Sequence, residues 1–202
     1  MLSIRFKLTK DDLQIATQFA EDRANLSYDQ YSKRGQSCLD RIKGDIVTGA
    51  LGELAAYKLL SKFTDVDHPD FKVYEKRKKS WAADFVDGKG YKFHCKSQSE
   101  ESRKKYGPSH ILQYGGNGHG NVDKLFTNRS ELDYLVSCQV NQKEMYVDIY
   151  GIYPVETLFE MDFIRMPANP WFKDTKRAVY LDDLLNLSET ERWGIIMPGR
   201  GE

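Results

Sequence analysis

One segment limits the fold more than any other: DRIKGDIVTGALGELAAYKLLSKF, residues 40 to 63. Ile42, Ile46, Val47, Ala50, Leu51, Leu54 and Tyr57 recur at about 100° per residue, the spacing of one buried helix face. Glu53 falls inside that stripe, between Ile46 and Leu60 and one turn from Gly49 and Tyr57. A carboxylate there is costly unless something compensates its charge. A snorkelling or salt-bridged side chain is the ordinary explanation.

Upstream, Thr9 and Asp12 have the spacing of an acidic capping box, and Leu13, Ala16, Phe19 and Ala20 continue at helical intervals, so a first helix is expected over about 10 to 25. The polar SYDQYSKRGQS that follows reads as a loop. From about residue 70 the pattern becomes period two or short apolar runs. FKVYE, ADFVD, YKFHCKS, DYLVSCQV and MYVDIYGIY are candidate strands, rich in aromatic and β-branched residues. Asp87-Gly88-Lys89-Gly90 supplies a hairpin turn between the second and third. Residues 98 to 122 form a polar stretch too long for an ordinary connection and read as a functional or mobile loop. A short helix near VETLFEM, an apolar AVYLDDLLNL and a tail WGIIMPGRGE complete the chain. Helices first and strands after imply an α/β fold with a central mixed β-sheet flanked by helices. With 202 residues, 40% apolar and no linker-like composition shift, a single domain over 1–202 is expected.

Thirty basic and thirty acidic residues cancel, so global charge gives no argument for nucleic acid. Local runs point the other way: Lys76, Arg77, Lys78 and Lys79 in one, Arg103, Lys104 and Lys105 in another. Cys38, Cys95 and Cys138 are far apart and odd in number, against a disulfide framework or a zinc site. The opening MLSIRFKLTKDD lacks a signal-peptide core, and no run approaches the roughly 20 apolar residues of a membrane span. A soluble, cytoplasmic protein with no membrane partner is the expectation.

The chemistry concentrates in WAADFVDGKGYKFHCKS, residues 81 to 97. His94 and Lys96 lie two apart on one strand and project from the same face, with Cys95 on the other. Asp84, near the start of the preceding strand, can face them. Asp84 offers hard oxygen for Mg²⁺ or Mn²⁺, His94 offers imidazole nitrogen to a borderline metal, and the Cys95 backbone carbonyl offers another oxygen. Phosphodiester hydrolysis needs this combination: a cation to neutralise developing charge, a bound water of lowered pKa, and a positive group beside the nucleophile.

The pattern G-x-x-x-x-G-x-x-G-E (Gly44 to Glu53), A-A-D (Ala82 to Asp84) and F-H-C-K-S-Q (Phe93 to Gln98) resembles the PD-(D/E)XK, or restriction-endonuclease-like, nuclease superfamily over roughly residues 40 to 155. The resemblance implies a restriction-endonuclease-like core and a metal-dependent endonuclease acting on DNA, less often RNA, with Mg²⁺ or Mn²⁺ as cofactor. It implies Glu53 as the helix acid, Asp84 as the central metal ligand and Lys96 as the catalytic lysine, with Gln98 a further contact. Many members act as homodimers. His94 stands where the family carries Asp or Glu. That exchange implies weaker Mg²⁺ binding or a Mn²⁺ preference, or a transfer of the ligand role to Glu53. Pro69-Asp70 is a second match to the acidic element, further from His94 and next to a turn, and Asp84 is preferred.

Each residue also has an ordinary reading: Asp84 a solvated strand-edge acid, Lys96 an edge charge against aggregation, His94 a satisfied core or surface histidine. The Gly-rich QYGGNGHGN lacks the context and the Lys-Ser/Thr ending of a nucleotide-binding loop, and is a flexible or DNA-contacting loop. The two basic runs flank the hairpin, with Trp81 and Tyr106 nearby for stacking, and are the expected nucleic-acid contacts. The rival to a nuclease is a catalytically inactive nucleic-acid-binding or inhibitory protein on the same fold.

Overall fold

The structure, a computed structural model, describes residues 3–32, 37–73, 83–115 and 122–195, without the side chains of 27, 29–31 and 124. A short strand β1 (Ile4–Lys7) leads into helix α1 (Lys10–Ser32). The cap between them is reciprocal. Thr9 donates its amide and hydroxyl to Asp12 Oδ2 at 2.7 and 2.8 Å, and the Asp12 amide donates to Thr9 Oγ1 at 3.1 Å. Asp12 Oδ2 also lies 2.5 Å from Lys58 Nζ, joining α1 to helix α2 (Leu39–Leu60). The α1 helix runs seven residues beyond the expected end at 25, into the segment read as a loop. Neither Gly nor Pro interrupts the chain before Gly35, so a polar surface turn continues the helix.

Strands β2 (Phe85–Val86), β3 (Lys92–Ser99), β5 (Asp133–Asn141) and β6 (Tyr146–Pro154) join β1 in a mixed five-stranded sheet of order β1-β6-β5-β3-β2. Only β3 and β5 run parallel; the other pairs are antiparallel. Between them lie α3 (Glu100–Tyr106), β4 (Ser109–Gln113) and α4 (Lys124–Thr127). After β6 come α5 (Val155–Glu160), β7 (Ile164–Arg165), a 3₁₀ turn (Pro170–Phe172), β8 (Lys176–Tyr180), α6 (Leu181–Leu185) and α7 (Glu189–Trp193). A second antiparallel sheet has the order β4-β8-β7. The expected α/β class with a helix-flanked mixed sheet is what the structure shows.

Other local expectations change. FKVYE forms no strand over 71–73, and its remainder lies outside the described residues. Of the stretch from 98 to 122, the described residues 98–115 are largely regular structure: α3 begins at a Ser99 cap, whose side chain accepts from the Ser102 amide, and β4 pairs with β8. The polar residues of that stretch cover the outside of short elements, which hid the SHILQ strand.

The sheet is covered on both faces. Ile42, Ile46, Leu51, Ala55 and Leu59 of α2 pack with Phe93, Val136, Cys138, Val140 and Ile152 in one core. Leu135, Tyr153 and Val155 pack with Leu112, Val179 and Leu184 in the other. Adjacent residues of β5 and β6 therefore enter opposite cores, which explains their unbroken apolar runs. Among the described residues no helix is long and apolar enough to cross a membrane.

Helix α2 meets β3 at Gly52. A Cβ at Gly52 would stand 1.8 Å from Ser97 Oγ and 2.9 Å from Ser97 Cβ, so only glycine permits this approach. Gly52→Ala, despite alanine's better helix propensity, should lower the free energy of unfolding by about 1–3 kcal/mol through overpacking. Denaturant unfolding would check this, and Ser97→Gly in the same chain should recover much of the loss.

Candidate active site at the open edge of strand β3

The turn that presents the site is built by Asp87. Its Oδ1 accepts the amides of Lys89 and Tyr91, each at 2.9 Å, and its Oδ2 accepts the Thr64 hydroxyl at 2.7 Å. Gly90 takes φ of 86°, where a side chain is strained. The hairpin then brings Asp84 alongside β3. The Asp84 amide donates to Phe93 O at 2.9 Å, and Asp84 Oδ2 accepts the Cys95 amide at 2.7 Å. Strand pairing on this side stops at Phe93, because β2 has only two residues. A strand residue points its N–H and C=O to the same side, so the Cys95 carbonyl faces the same open edge as Asp84.

Glu53 reaches this edge from α2, one residue beyond the Gly52 contact. It is half-buried. Burial, followed by the charge of Asp84, pushes its pKa up to about 8, while Arg23 on α1 and Lys96 on β3 pull the other way. Asp84 has exposed surface at the sheet edge, yet the protein packed around its carboxylate withholds water. That desolvation raises its pKa, with Asp123 adding to it, against the opposing pull of Lys96, the Cys95 amide and His94. The local surroundings of the carboxylate, rather than the average exposure of the residue, govern its charge.

Lys96 extends to Asp123, Nζ to Oδ2 3.4 Å. Asp123 is buried before α4, where its Oδ1 accepts the Leu125 amide at 3.2 Å. Three acids, Glu53, Asp84 and Asp123, thus stand with two bases, Lys96 and Arg23. Asp123 and Arg23 were not apparent in the sequence. Asp123 follows the Gly-rich loop, whose position offered the one available signal; Arg23 is a single charge on an amphipathic helix and offered none.

The other expected site residues are placed differently. His94 shares the face of Lys96 but its Nε2 lies 2.7 Å from Asp133 Oδ1 on the neighbouring strand. Gln98 is buried on β3, and its side chain reaches the turn after α3, where it donates to Gly107 O at 2.9 Å and accepts the Ser109 amide at 3.1 Å. These bonds make Gln98 a brace for the turn. Asp70 lies outside the cluster and caps its own loop, accepting the Lys72 amide at 3.0 Å. Arg103, Lys104 and Lys105 lie on α3, immediately after β3; Glu100 pairs with Arg103 at 4.0 Å and with Lys104 at 3.5 Å, and Lys105 lies over the Tyr106 ring. Lys76, Arg77, Lys78, Lys79 and Trp81 lie outside the described residues, as does most of the Gly-rich loop.

The Cys95 and Cys138 sulfurs are 3.6 Å apart, and the hydrogen bond between them, together with burial, holds Cys95 as a thiol. Among the described residues no three His, Cys, Asp or Glu side chains close into a ready-made metal cage. Mg²⁺ needs no such cage, since it retains several waters and takes one or two carboxylates. Glu53, Asp84 and the Cys95 carbonyl fit that demand, because two desolvated carboxylates that repel each other gain most from a shared cation.

The raised Glu53 carboxyl has a consequence for stability. The native state holds this proton more tightly than the unfolded chain, so its contribution is complete below the ordinary value of 4.5 and is lost as pH rises through about 8. The Tm difference between metal-free wild type and Glu53→Gln, measured from pH 5 to 9, should therefore move steadily against the wild type. A flat difference would show that Glu53 is normally solvated.

No protein-family model matches the chain and no curated protein matches its sequence, so the likeness to the nuclease superfamily rests on the residues of this site.

Proposed function

We propose that the protein is a metal-dependent endonuclease that hydrolyses phosphodiester bonds of DNA, built on a restriction-endonuclease-like core. The supporting observation is the meeting of Glu53 on α2, Asp84 just before β2 and Lys96 on β3 in one group of interacting charges at an open strand edge. Along the chain the helix with Glu53, then Asp84, then the strand with Lys96 follow one another as in the pattern that carries the resemblance.

Asp84 and Glu53 would hold the cation, Mg²⁺ or Mn²⁺, with the Cys95 carbonyl as a third oxygen. The bound ion would neutralise charge on the scissile phosphate and lower the pKa of a bound water. Lys96 sets a positive charge against the nucleophile and the phosphate, steered by Asp123. The Cys95 amide fixes the orientation of Asp84. Arg23 balances charge on Glu53 from the helix side. The basic side chains of α3 contact the DNA backbone, a contact that positions without reading sequence. RNA as a second substrate and a homodimeric form belong to the same reading.

One observation favours the rival reading, binding without cleavage: the family's acidic position is a histidine already bonded to Asp133. Incubation with supercoiled plasmid, linear duplex, single-stranded DNA and RNA, with Mg²⁺, Mn²⁺ or EDTA, separates the two. Metal-dependent cleavage is expected, falling by at least about 10²-fold in Asp84→Ala and Lys96→Ala. Salt-sensitive binding with no cleavage of any substrate would establish the inactive binder instead.

A further inference from the structure

The Asp133 carboxylate is buried at the head of β5, 39 positions from His94 in sequence, and its two oxygens are fully engaged. Oδ1 meets His94 Nε2 at 2.7 Å, and Oδ2 accepts the amide and the hydroxyl of Ser130, both at 2.7 Å. A carboxylate whose Oδ2 already takes two donors offers Oδ1 as an acceptor as well. The atom facing it must be a donor, so His94 carries its proton on Nε2, and Nδ1 keeps the lone pair. The parallel pairing of β3 with β5, in which Lys92 lies opposite Asp133 and His94 opposite Leu135, fixes this geometry in the backbone.

His94 sits between the two strand residues that Asp84 bonds, Phe93 through its carbonyl at 2.9 Å and Cys95 through its amide at 2.7 Å. It therefore lies between one carboxylate that is fixed and buried and another that sits on the exposed edge.

We propose that Asp133 is a positioning residue that fixes His94 as the Nε2–H tautomer, so that Nδ1 serves as a nitrogen ligand to a divalent cation shared with Asp84. The inference rests on the nuclease reading and adds the means by which a histidine fills an acid's place. Metal-bound histidines characteristically donate their other ring N–H to a carboxylate, which fixes the ring and raises its basicity. Since Asp133 anchors the ring, capture of the ion falls to Asp84, the partner on the exposed edge. A borderline nitrogen donor shifts the preference of the site from Mg²⁺ toward Mn²⁺.

Mn²⁺ affinity of the metal-free chain, read by electron paramagnetic resonance, tests this in wild type, His94→Ala, Asp133→Asn and the double variant. Each single change should weaken Mn²⁺ by about 10–100-fold, and the double variant should be no weaker than the worse single one, because both remove the same ligand. The imidazole ¹⁵N spectrum should show the proton on Nε2 in wild type. Arg5→Ala, which breaks the Arg5–Asp148 pair on β1, should destabilise the fold yet leave Mn²⁺ affinity unchanged. Wild-type affinity in His94→Ala, additive losses in the double variant, or a proton on Nδ1 would overturn the assignment. If Asp84→Ala loses Mn²⁺ while His94→Ala and Asp133→Asn retain it, this inference falls and the nuclease reading stands. Absence of Mn²⁺ binding in every protein would remove both.

Discussion

The candidate site depends on how closely α2 can approach β3. The approach at Gly52 over Ser97 leaves no room for a side chain, and the next residue along the helix is Glu53. The side chains at the contact set the gap between a helix and the sheet beneath it, and a glycine contact shortens that gap. The shorter gap turns a carboxylate that would otherwise reach solvent into one held against the open strand edge. The cost of that burial appears as a pKa raised to about 8. A cation at this edge would offset it.

The same edge also has a topological origin. A two-residue β2 ends the sheet early, so the amide of Cys95 is bonded by an Asp84 side chain instead of another strand. Sheet edges commonly carry charge to prevent pairing with other chains, and here the charges converge. Lys96, Asp123 and Arg23 surround the two acids from separate elements, so the arrangement exists only in the folded chain. The buried side of β3 is quite different. His110 on β4, whose Nε2 lies 2.6 Å from Ser137 Oγ, is held neutral by burial and by Lys96, with a pKa of about 4.

Much of this was legible in the sequence where a residue broke a strong local pattern. Glu53 interrupts an apolar helical stripe, and Asp84 and Lys96 flank a hairpin whose turn chemistry is explicit. The α/β class followed from periodicity, because α2, β3, β5 and β6 are long enough to show it. Short elements escaped: β1 has four residues and β4 lies within a polar stretch. The charge partners escaped for another reason. Asp123 and Asp133 meet Lys96 and His94 across 27 and 39 positions, through a crossover that pairs parallel strands. Spacing along the chain carries no trace of such contacts. Gln98 shows the converse error, since its place two residues after Lys96 suggested the site, whereas its amide closes the turn into β4.

The central claim is that Glu53 and Asp84 form a desolvated acid pair completed by a divalent cation. Isothermal titration of Mg²⁺ or Mn²⁺ into the metal-free chain at pH 7, in buffers of different ionisation enthalpy, tests it by counting protons. A carboxyl with a pKa of about 8 must release its proton when a cation binds, so wild type should release about one proton per ion and Glu53→Gln about none. Equal proton counts in the two proteins, or no saturable binding in wild type, would contradict the account.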